Sequence, residues 1–451
     1  MLEHIDGVAL AVAILAPALA TLAIAALMVT GRAREENVVA ISRTAFLASL
    51  AGAIAIAVVV VQDGPREITT GVWFEAGHHA FHVNFLLDPL AAMMIVLTAG
   101  ACSLIGHFSV TYLHGERGHT RFYLLLDLFA VGMLLIVTAG SIDLLFVGWE
   151  IVGITSALLI GFFHERPMPV RNGLRAFVTY RCCDVALLVG IIMLHHYAHE
   201  TGMHVDPGRW AAGLPAVSGG GATVVGLALM LGAMGKSAQA PVGGWLPRAM
   251  EGPTPSSAIF YGALSVHAGV YLLIRAQPVF ERSPIASAAL IVVGAITAVT
   301  ATLTGRVESD VKTTLAYATM TQVGLMFVEL GLHLPTVASV HLVGNAVLRC
   351  WQLLRAPAIL HELHEVHGAL EHELETGRVL DNIERKLPGH VGAWLYLRAL
   401  DRFYFEALFD RFLVRPFFAL ARALARLDEG LGTSDTPVAV PRRAATDGGK
   451  R

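Results

Sequence analysis

Residues 144–162 read LLFVGWEIVGITSALLIGF and residues 227–247 read LALMLGAMGKSAQAPVGGWLP. Each is an apolar run long enough to cross a bilayer, which takes about 20 mainly apolar residues in a helix. Each also carries one charged residue at its centre, Glu150 in the first and Lys236 in the second. An ionisable group at that depth costs about 2.5–3.5 kcal/mol on insertion scales, so it marks a candidate functional site. The second run is interrupted as well, because Pro241, Gly243 and Gly244 follow Lys236 within about two turns, which frees backbone carbonyls and admits water.

Working outward, similar runs occupy most of the chain. Of 451 residues only 15% are charged, with 32 Lys plus Arg against 35 Asp plus Glu for a net charge of −3, and 55% are hydrophobic. Soluble domains carry about 25% charged residues, so an ordinary soluble protein is excluded. The lack of a basic block excludes a nucleic-acid binder. About eleven spans are predicted, at 8–30, 38–62, 85–111, 121–139, 141–163, 173–198, 222–243, 254–276, 284–304, 311–332 and 336–357. The fold class is an all-α polytopic membrane protein, since lipid admits only helices and closed barrels and these runs are too continuously apolar for barrel strands.

Met1–Gly7 carries Glu3 and Asp6 and no basic residue, so the first run reads as a retained span. Arg32, Arg34, Arg43, Arg117, Arg121, Arg166, Arg171, Arg175, Arg248, Arg306 and Lys312 collect on one face, against Arg66, Arg209, Arg275 and Arg282 on the other. The positive-inside rule then places the N-terminus outside and the C-terminus in the cytoplasm. After Ala358 comes a charged stretch, followed from Trp394 to about Asp428 by an amphipathic interfacial segment with a kink expected at Pro416; a disordered tail is expected from 432.

Other ionisable residues in the spans are Arg181 and Asp184, three apart on one helix face; His267; Asp310 and Lys312 at the start of span 10; Glu329; and His341 with Arg349, eight apart in span 11. A Lys and a Glu on different helices hold each other charged when together and force one to give up its charge when apart, which is the physics of a proton relay. A structural ion pair that orients helices is the alternative, most evenly balanced for Arg181 and Asp184. Gly235, Lys236 and Ser237 mimic the end of a phosphate-binding loop, but Met230 stands at the first glycine position and no nucleotide site follows. His361, His364 and His367 lack the H-E-x-x-H order, and His78, His79 and His82 fall in an external loop, so no metal or cofactor is expected. Cys102, Cys182, Cys183 and Cys350 read as buried small hydrophobes.

The segments TYRCCDVALLVG (179–190), MGKSAQAPVGGWLPRAMEGPTPSSA (234–258), SDVKTTLAYATMTQVGLMFVELG (309–331) and HLVGNAVLRCWQLLRAP (341–357) resemble the antiporter-like proton-conducting membrane subunits, the family of NADH:quinone oxidoreductase subunit L and of multi-subunit Mrp antiporters. DRFYFEALFDRFLVRPFFALARALARL (401–427) is similar to that family's C-terminal region. The resemblance implies two inverted half-channels joined by a polar axis, with Glu150, Arg181, Asp184, Lys236, Asp310, Lys312 and His341 at family positions. It also implies departures: Tyr261 stands where a span 8 histidine is usual, Asn345 replaces an axis histidine, and Arg349 replaces the span 11 lysine. The expected proton pathway is therefore Glu150, Lys236, Asp184, Arg181, His267, Tyr261, Lys312, Asp310, His341 and Arg349.

The organisation expected from this is 1–112 N-terminal helices, 113–280 a first antiporter-like unit, 281–357 a truncated second unit, 358–431 the charged stretch and amphipathic helix, and 432–451 the tail. The truncation, with AIFYGALSVHAGVYLL (258–273) and LRCWQLLRAP (348–357), is similar to the shortened DabB-type subunits of inorganic-carbon uptake complexes. That likeness implies a large soluble zinc-containing DabA-like partner on the cytoplasmic side. A pump subunit of a complex-I-like or hydrogenase-linked redox assembly, and a non-conducting membrane anchor, are the competing readings. In each, the chain has no catalytic site of its own.

Overall fold

The structure, a computed structural model, describes residues 5–76, 79–198, 202–203, 219–369 and 388–431. The N-terminal part consists of α1 (Ile5–Val29), α2 (Glu35–Asp63), a hairpin of β1 (Arg66–Ala76) and β2 (His79–Leu87), α3 (Pro89–Tyr112) and α4 (His119–Thr138). The centre holds α5 (Ile142–Ile160), α6 (Pro167–Ala198), α7 (Gly219–Lys236) and α8 (Ser265–Arg275). Then follow α9 (Pro284–Gly305), α10 (Val311–Gly331), α11 (Pro335–Ala369), α12 (Gly389–Leu400) and α13 (Arg415–Leu431).

Helix starts follow the local chemistry. Asp88, Ser141, Ser283 and Asp310 each accept a hydrogen bond from a backbone N–H of the first turn, in α3, α5, α9 and α10 respectively. Proline follows at the head of α3 and α9, where its missing N–H costs nothing.

Among the described residues nine helices are long and apolar enough to cross a membrane. The chain is thus the expected polytopic helical membrane protein, with one difference in the count. Helices form at both remaining predicted places, α10 and α11, but neither is among the nine. Their sequences are more polar, and their polar side chains are spent on helix contacts: His341 of α11 meets Gln322 and Glu329 of α10, and Thr321 of α10 bonds Thr302 of α9 at 3.1 Å.

The segment Thr254–Arg275 lies at the centre, with 94% of its most apolar stretch buried against 28% for Asp6–Val29 at the edge. Helix crossings are tightened by small residues, as in other membrane bundles. At the α9–α10 crossing a Cβ on Gly294 would lie 2.4 Å from the carbonyl oxygen of Gly324, so only glycine fits.

Three local expectations are corrected. Residues 66–87 form an antiparallel hairpin rather than a loop running into span 3, with Arg66 opposite Leu87 and Val72 opposite His82. The alternation in EITTGVWF, rich in β-branched and aromatic residues, explains it. Span 8 is not one helix: Thr254–Ser256 leads into a π-helical segment, Ser257–Ala263, and Leu264 breaks from helical backbone before α8 begins. The amphipathic C-terminal segment is also divided, and its break falls at Arg402, Phe403 and Tyr404, with φ of 51°, 54° and 58°, not at Pro416, which lies in the first turn of α13. The histidines 361, 364 and 367 fall on the α11 backbone and His79 on β2, with side chains outside the described residues; His78 and the 432–451 tail also lie outside them.

Candidate functional site

Helix α7 ends at Lys236, whose side chain is fully buried. The following loop, through Pro241, Gly243 and Gly244, leads to a short helical turn at Trp245–Arg248. This is the predicted interruption, and its geometry is fixed by specific bonds. Trp245 Nε1 donates to the Gly235 carbonyl at 2.9 Å, Ser237 Oγ to Val266 at 2.7 Å, and the Ala240 N–H to Thr297 Oγ1 at 2.9 Å. The freed Gly235 carbonyl and Ala240 N–H are thus re-paired, with Trp245 and with α9, and the Ser237 side chain ties the loop to α8, as a break inside a membrane requires.

The Lys236 ammonium has no hydrogen-bond partner among the described residues. It sits against aromatic faces, 4.5 Å from the Tyr180 ring centroid and 5.4 Å from that of Trp149, distances at which a cation is attracted by the ring quadrupole. Gly153 of α5 makes the room, since a Cβ there would lie 2.6 Å from Nζ.

Next to it lies a charged triad. Arg181 pairs with Glu150 and, at 2.9 Å, with Asp184, whose other oxygen accepts from Trp149 Nε1 at 2.6 Å. The expected pairing is therefore corrected in one respect: Glu150 is held by Arg181 rather than by Lys236. A guanidinium, with its fork of donors, reaches two carboxylates at once and leaves the single-point ammonium on the aromatic wall.

Tyr261 and His267 lie beyond the lysine. The Ser156 hydroxyl stands 3.1 Å from the Tyr180 hydroxyl and 3.4 Å from that of Tyr261. His267 is fully buried; its Nδ1 lies 2.9 Å from the Ala263 carbonyl and its Nε2 3.0 Å from Asn345 Nδ2, so a tautomer protonated on Nδ1 satisfies both contacts. His341, Nδ1 on Glu329 and Nε2 on Gln322 at 2.8 Å each, forms a second polar cluster between α10 and α11. Arg349 bonds Gln352 at 2.6 Å, one turn along its own helix.

Asp310 and Lys312 belong elsewhere. Asp310 is exposed and caps α10, accepting from Thr313 N at 2.8 Å. Both line a polar cavity of about 930 Å³ with Arg248, Glu251, Glu308 and Arg402. It opens beside the lower half of the interrupted helix. Over the break itself, Phe403 and Phe405 of the C-terminal segment face Ala240, Pro241 and Gly244, and Arg402 pairs with Glu308 at 3.1 Å.

Trp149, Gly153, Ser156 and Tyr180 shape the lysine's surroundings but gave no signal as aromatic and small residues in apolar spans. Asp127 did carry one, an acid inside FYLLLDLFAVG, and is fully buried with Ser42 Oγ 2.5 Å from its Oδ2.

Two family models match the chain and together cover more than half of it: NADH:quinone oxidoreductase/Mrp antiporter, TM, over residues 139–350, and NADH-Ubiquinone oxidoreductase (complex I), chain 5 N-terminus, over residues 73–123. The chain is 35% identical over 314 residues to NADH-quinone oxidoreductase subunit L of Neisseria meningitidis, covering 67% of this chain and 47% of that one. It is 37% identical over 319 residues to the Mycobacterium tuberculosis subunit L, covering 70% and 50%. It therefore spans about half the length of the curated relatives it matches. A chain of the Mrp complex from a Dietzia species superposes with a TM-score of 0.65 at 26% identity, over 77% of this chain and 37% of that one. These matches contain the interrupted helix, the charged triad and the central spans; the chain belongs to the antiporter-like membrane-subunit family of NADH:quinone oxidoreductases and Mrp antiporters.

Proposed function

We propose that the chain conducts protons as an antiporter-like subunit of a larger membrane assembly of the complex-I or Mrp kind. The observation that carries this reading is Lys236: a fully buried ammonium at a helix break, without a hydrogen-bond partner among the described residues, beside a Glu150–Arg181–Asp184 triad in which one guanidinium faces two carboxylates. Burial favours release of its proton, the excess carboxylate of the triad favours keeping it, and a shift of Arg181 toward or away from the carboxylates tips the balance. Water reaches it from the cavity at Arg248, Glu251, Glu308 and Lys312. The Tyr180–Ser156–Tyr261 hydroxyls and His267 continue the path inward, and His341 with Glu329 and Arg349 carry it toward the second half. Asp310 serves the mouth of the path as a helix cap.

The distribution of arginine supports an outside N-terminus and a cytoplasmic C-terminus, in a bacterial inner membrane. The units proposed above (1–112, 113–280, 281–357, 358–431) follow the same scheme. Within the family, the likeness of 258–273 and 348–357 to the DabB type favours coupling to a zinc-containing DabA-like partner that takes up inorganic carbon. A redox-linked complex with subunit-L-like pumping is the second reading, favoured by the subunit L relatives.

Proteoliposomes holding the purified assembly test the function. Lys236→Ala is expected to abolish proton flux with insertion unchanged, and Glu150→Gln to act in the same direction. Full flux in Lys236→Ala, or flux that requires Na⁺ in place of protons, overturns it. Zinc and iron counted on the co-purified partners separate the two assemblies.

A further inference from the structure

Between the first turns of α6 and the final helix α13 lies a cavity of about 670 Å³ that the proton path does not use. Five arginines line it: Arg171 and Arg175 of α6, Arg248 below the broken helix, and Arg415 and Arg422 of α13. Among the described lining residues there is no carboxylate. The rest of the wall is apolar, chiefly Val170, Leu174, Val414 and Phe418.

Arg175 and Arg248 have interactions of their own, and the three exposed guanidiniums, Arg171, Arg415 and Arg422, repel one another across the cavity, so a multivalent anion between them stabilises the arrangement. Guanidinium suits phosphate oxygens, which it binds in a two-pronged manner. The apolar half of the wall narrows the choice of phosphate. A soluble anion has no use for Val170 and Leu174, whereas a phospholipid places its phosphate on the arginines and its acyl chains along those side chains. The location agrees. Val170 and Leu174 are exposed at the head of a membrane-spanning helix, and α13 carries a second face, Phe417, Leu420, Leu424 and Leu427, all exposed and on the side of the helix opposite Arg415 and Arg422. A helix with arginines on one side and leucines on the other lies at a membrane surface.

We propose that this cavity binds the headgroup of an anionic phospholipid, clamped between α6 and α13, and so fastens the C-terminal helix to the bundle. The site is separate from Lys236 and its neighbours, and stands whether or not the chain conducts protons.

The test uses the full chain in mild detergent, with Tm followed as dioleoyl phosphatidylglycerol, dioleoyl phosphatidylcholine or inorganic phosphate is added, and native mass spectrometry to count retained lipid. Phosphatidylglycerol is expected to raise Tm and to remain bound, with phosphatidylcholine and phosphate without effect. The triple variant Arg171→Gln/Arg415→Gln/Arg422→Gln is expected to bind phosphatidylglycerol roughly a hundredfold more weakly, from the loss of three surface cations. The corresponding triple Lys variant keeps the charge but not the two-pronged geometry and is expected to bind with intermediate strength, and Arg32→Gln, on an exposed residue outside the cavity lining, leaves binding unchanged. Equal response to both lipids, a full response to phosphate alone, or unaltered binding in the triple Gln variant overturns the proposal.

Discussion

Lys236 and Gly153 are one device. The ammonium occupies the volume that a side chain at residue 153 would take, so the glycine on α5 is as necessary to the buried charge as the lysine on α7. Gly153→Ala is expected to displace Nζ from the Tyr180 face, lower proton flux and cost about 1–3 kcal/mol by overpacking; flux assays and thermal unfolding of the variant check both. A second residue-scale prediction concerns Asp127. Its carboxyl is buried among apolar side chains with Ser42 as its hydrogen-bond partner, so Ser42→Ala leaves an unpaired buried group and is expected to destabilise the protein by about 1–3 kcal/mol, read as a fall in Tm. Ionisable residues such as Glu150 and Lys236 were legible in the sequence because charge inside an apolar run has no bland explanation. Trp149, Ser156 and Tyr180 were not, since an aromatic or hydroxyl side chain in a span acquires its meaning only from the neighbour it meets. That Arg181 holds Glu150 in addition to Asp184 was equally hidden, because a spacing of three along α6 indicates Asp184, as found, and says nothing of α5.

At the scale of the element, the instructive cases are the two breaks that meet. The loop after Lys236 was announced by Pro241, Gly243 and Gly244. The π-helical turn at Ser257–Ala263 was not, because it contains no proline and no charge; its Gly262 lies against Arg349 and Leu353 of α11, a contact no local pattern announces. The C-terminal segment adds a third irregularity. Three consecutive residues, Arg402, Phe403 and Tyr404, hold left-handed backbone that L-residues adopt at a cost. That cost is borne where Arg402 reaches Glu308 and Phe403 covers the loop of the broken helix. Glu308→Gln is expected to loosen this cover, seen as faster hydrogen exchange at 238–244 with the exchange of α4 unaltered. The hairpin was legible in principle from alternation in 66–74, but its outer strand borders an apolar run, and the reading of span 3 swallowed its end.

For the whole molecule, order and depth of the spans were set by hydropathy, and the polytopic fold followed from it. The two exceptions, α10 and α11, show the limit of that signal. Helix α11 keeps an exposed apolar side of Val340, Val347, Leu348 and Trp351, and what lowers the mean hydropathy of the two helices is the polar set on their inner sides, Gln322, Glu329, His341 and Asn345, which is paired with neighbouring helices. Substituting His341 by Phe is expected to disconnect α10 from α11 locally and to lower flux less than Lys236→Ala, a ranking that proteoliposome assays of both variants can check.

The junction of hairpin and bundle also has a mechanical side. Asp88, at the foot of β2, grips Arg275 through both carboxylate oxygens at 2.5 and 2.8 Å, and Arg275 in turn holds Tyr271, whose hydroxyl is bonded to Val137 of α4. Arg275 closes α8 two turns beyond His267, about 12 Å along the axis. The hairpin is thus a handle on a stiff crank. A pull on the exposed strands would reach the helix bearing His267 through this chain of bonds alone, without contact with any group of the proposed proton path.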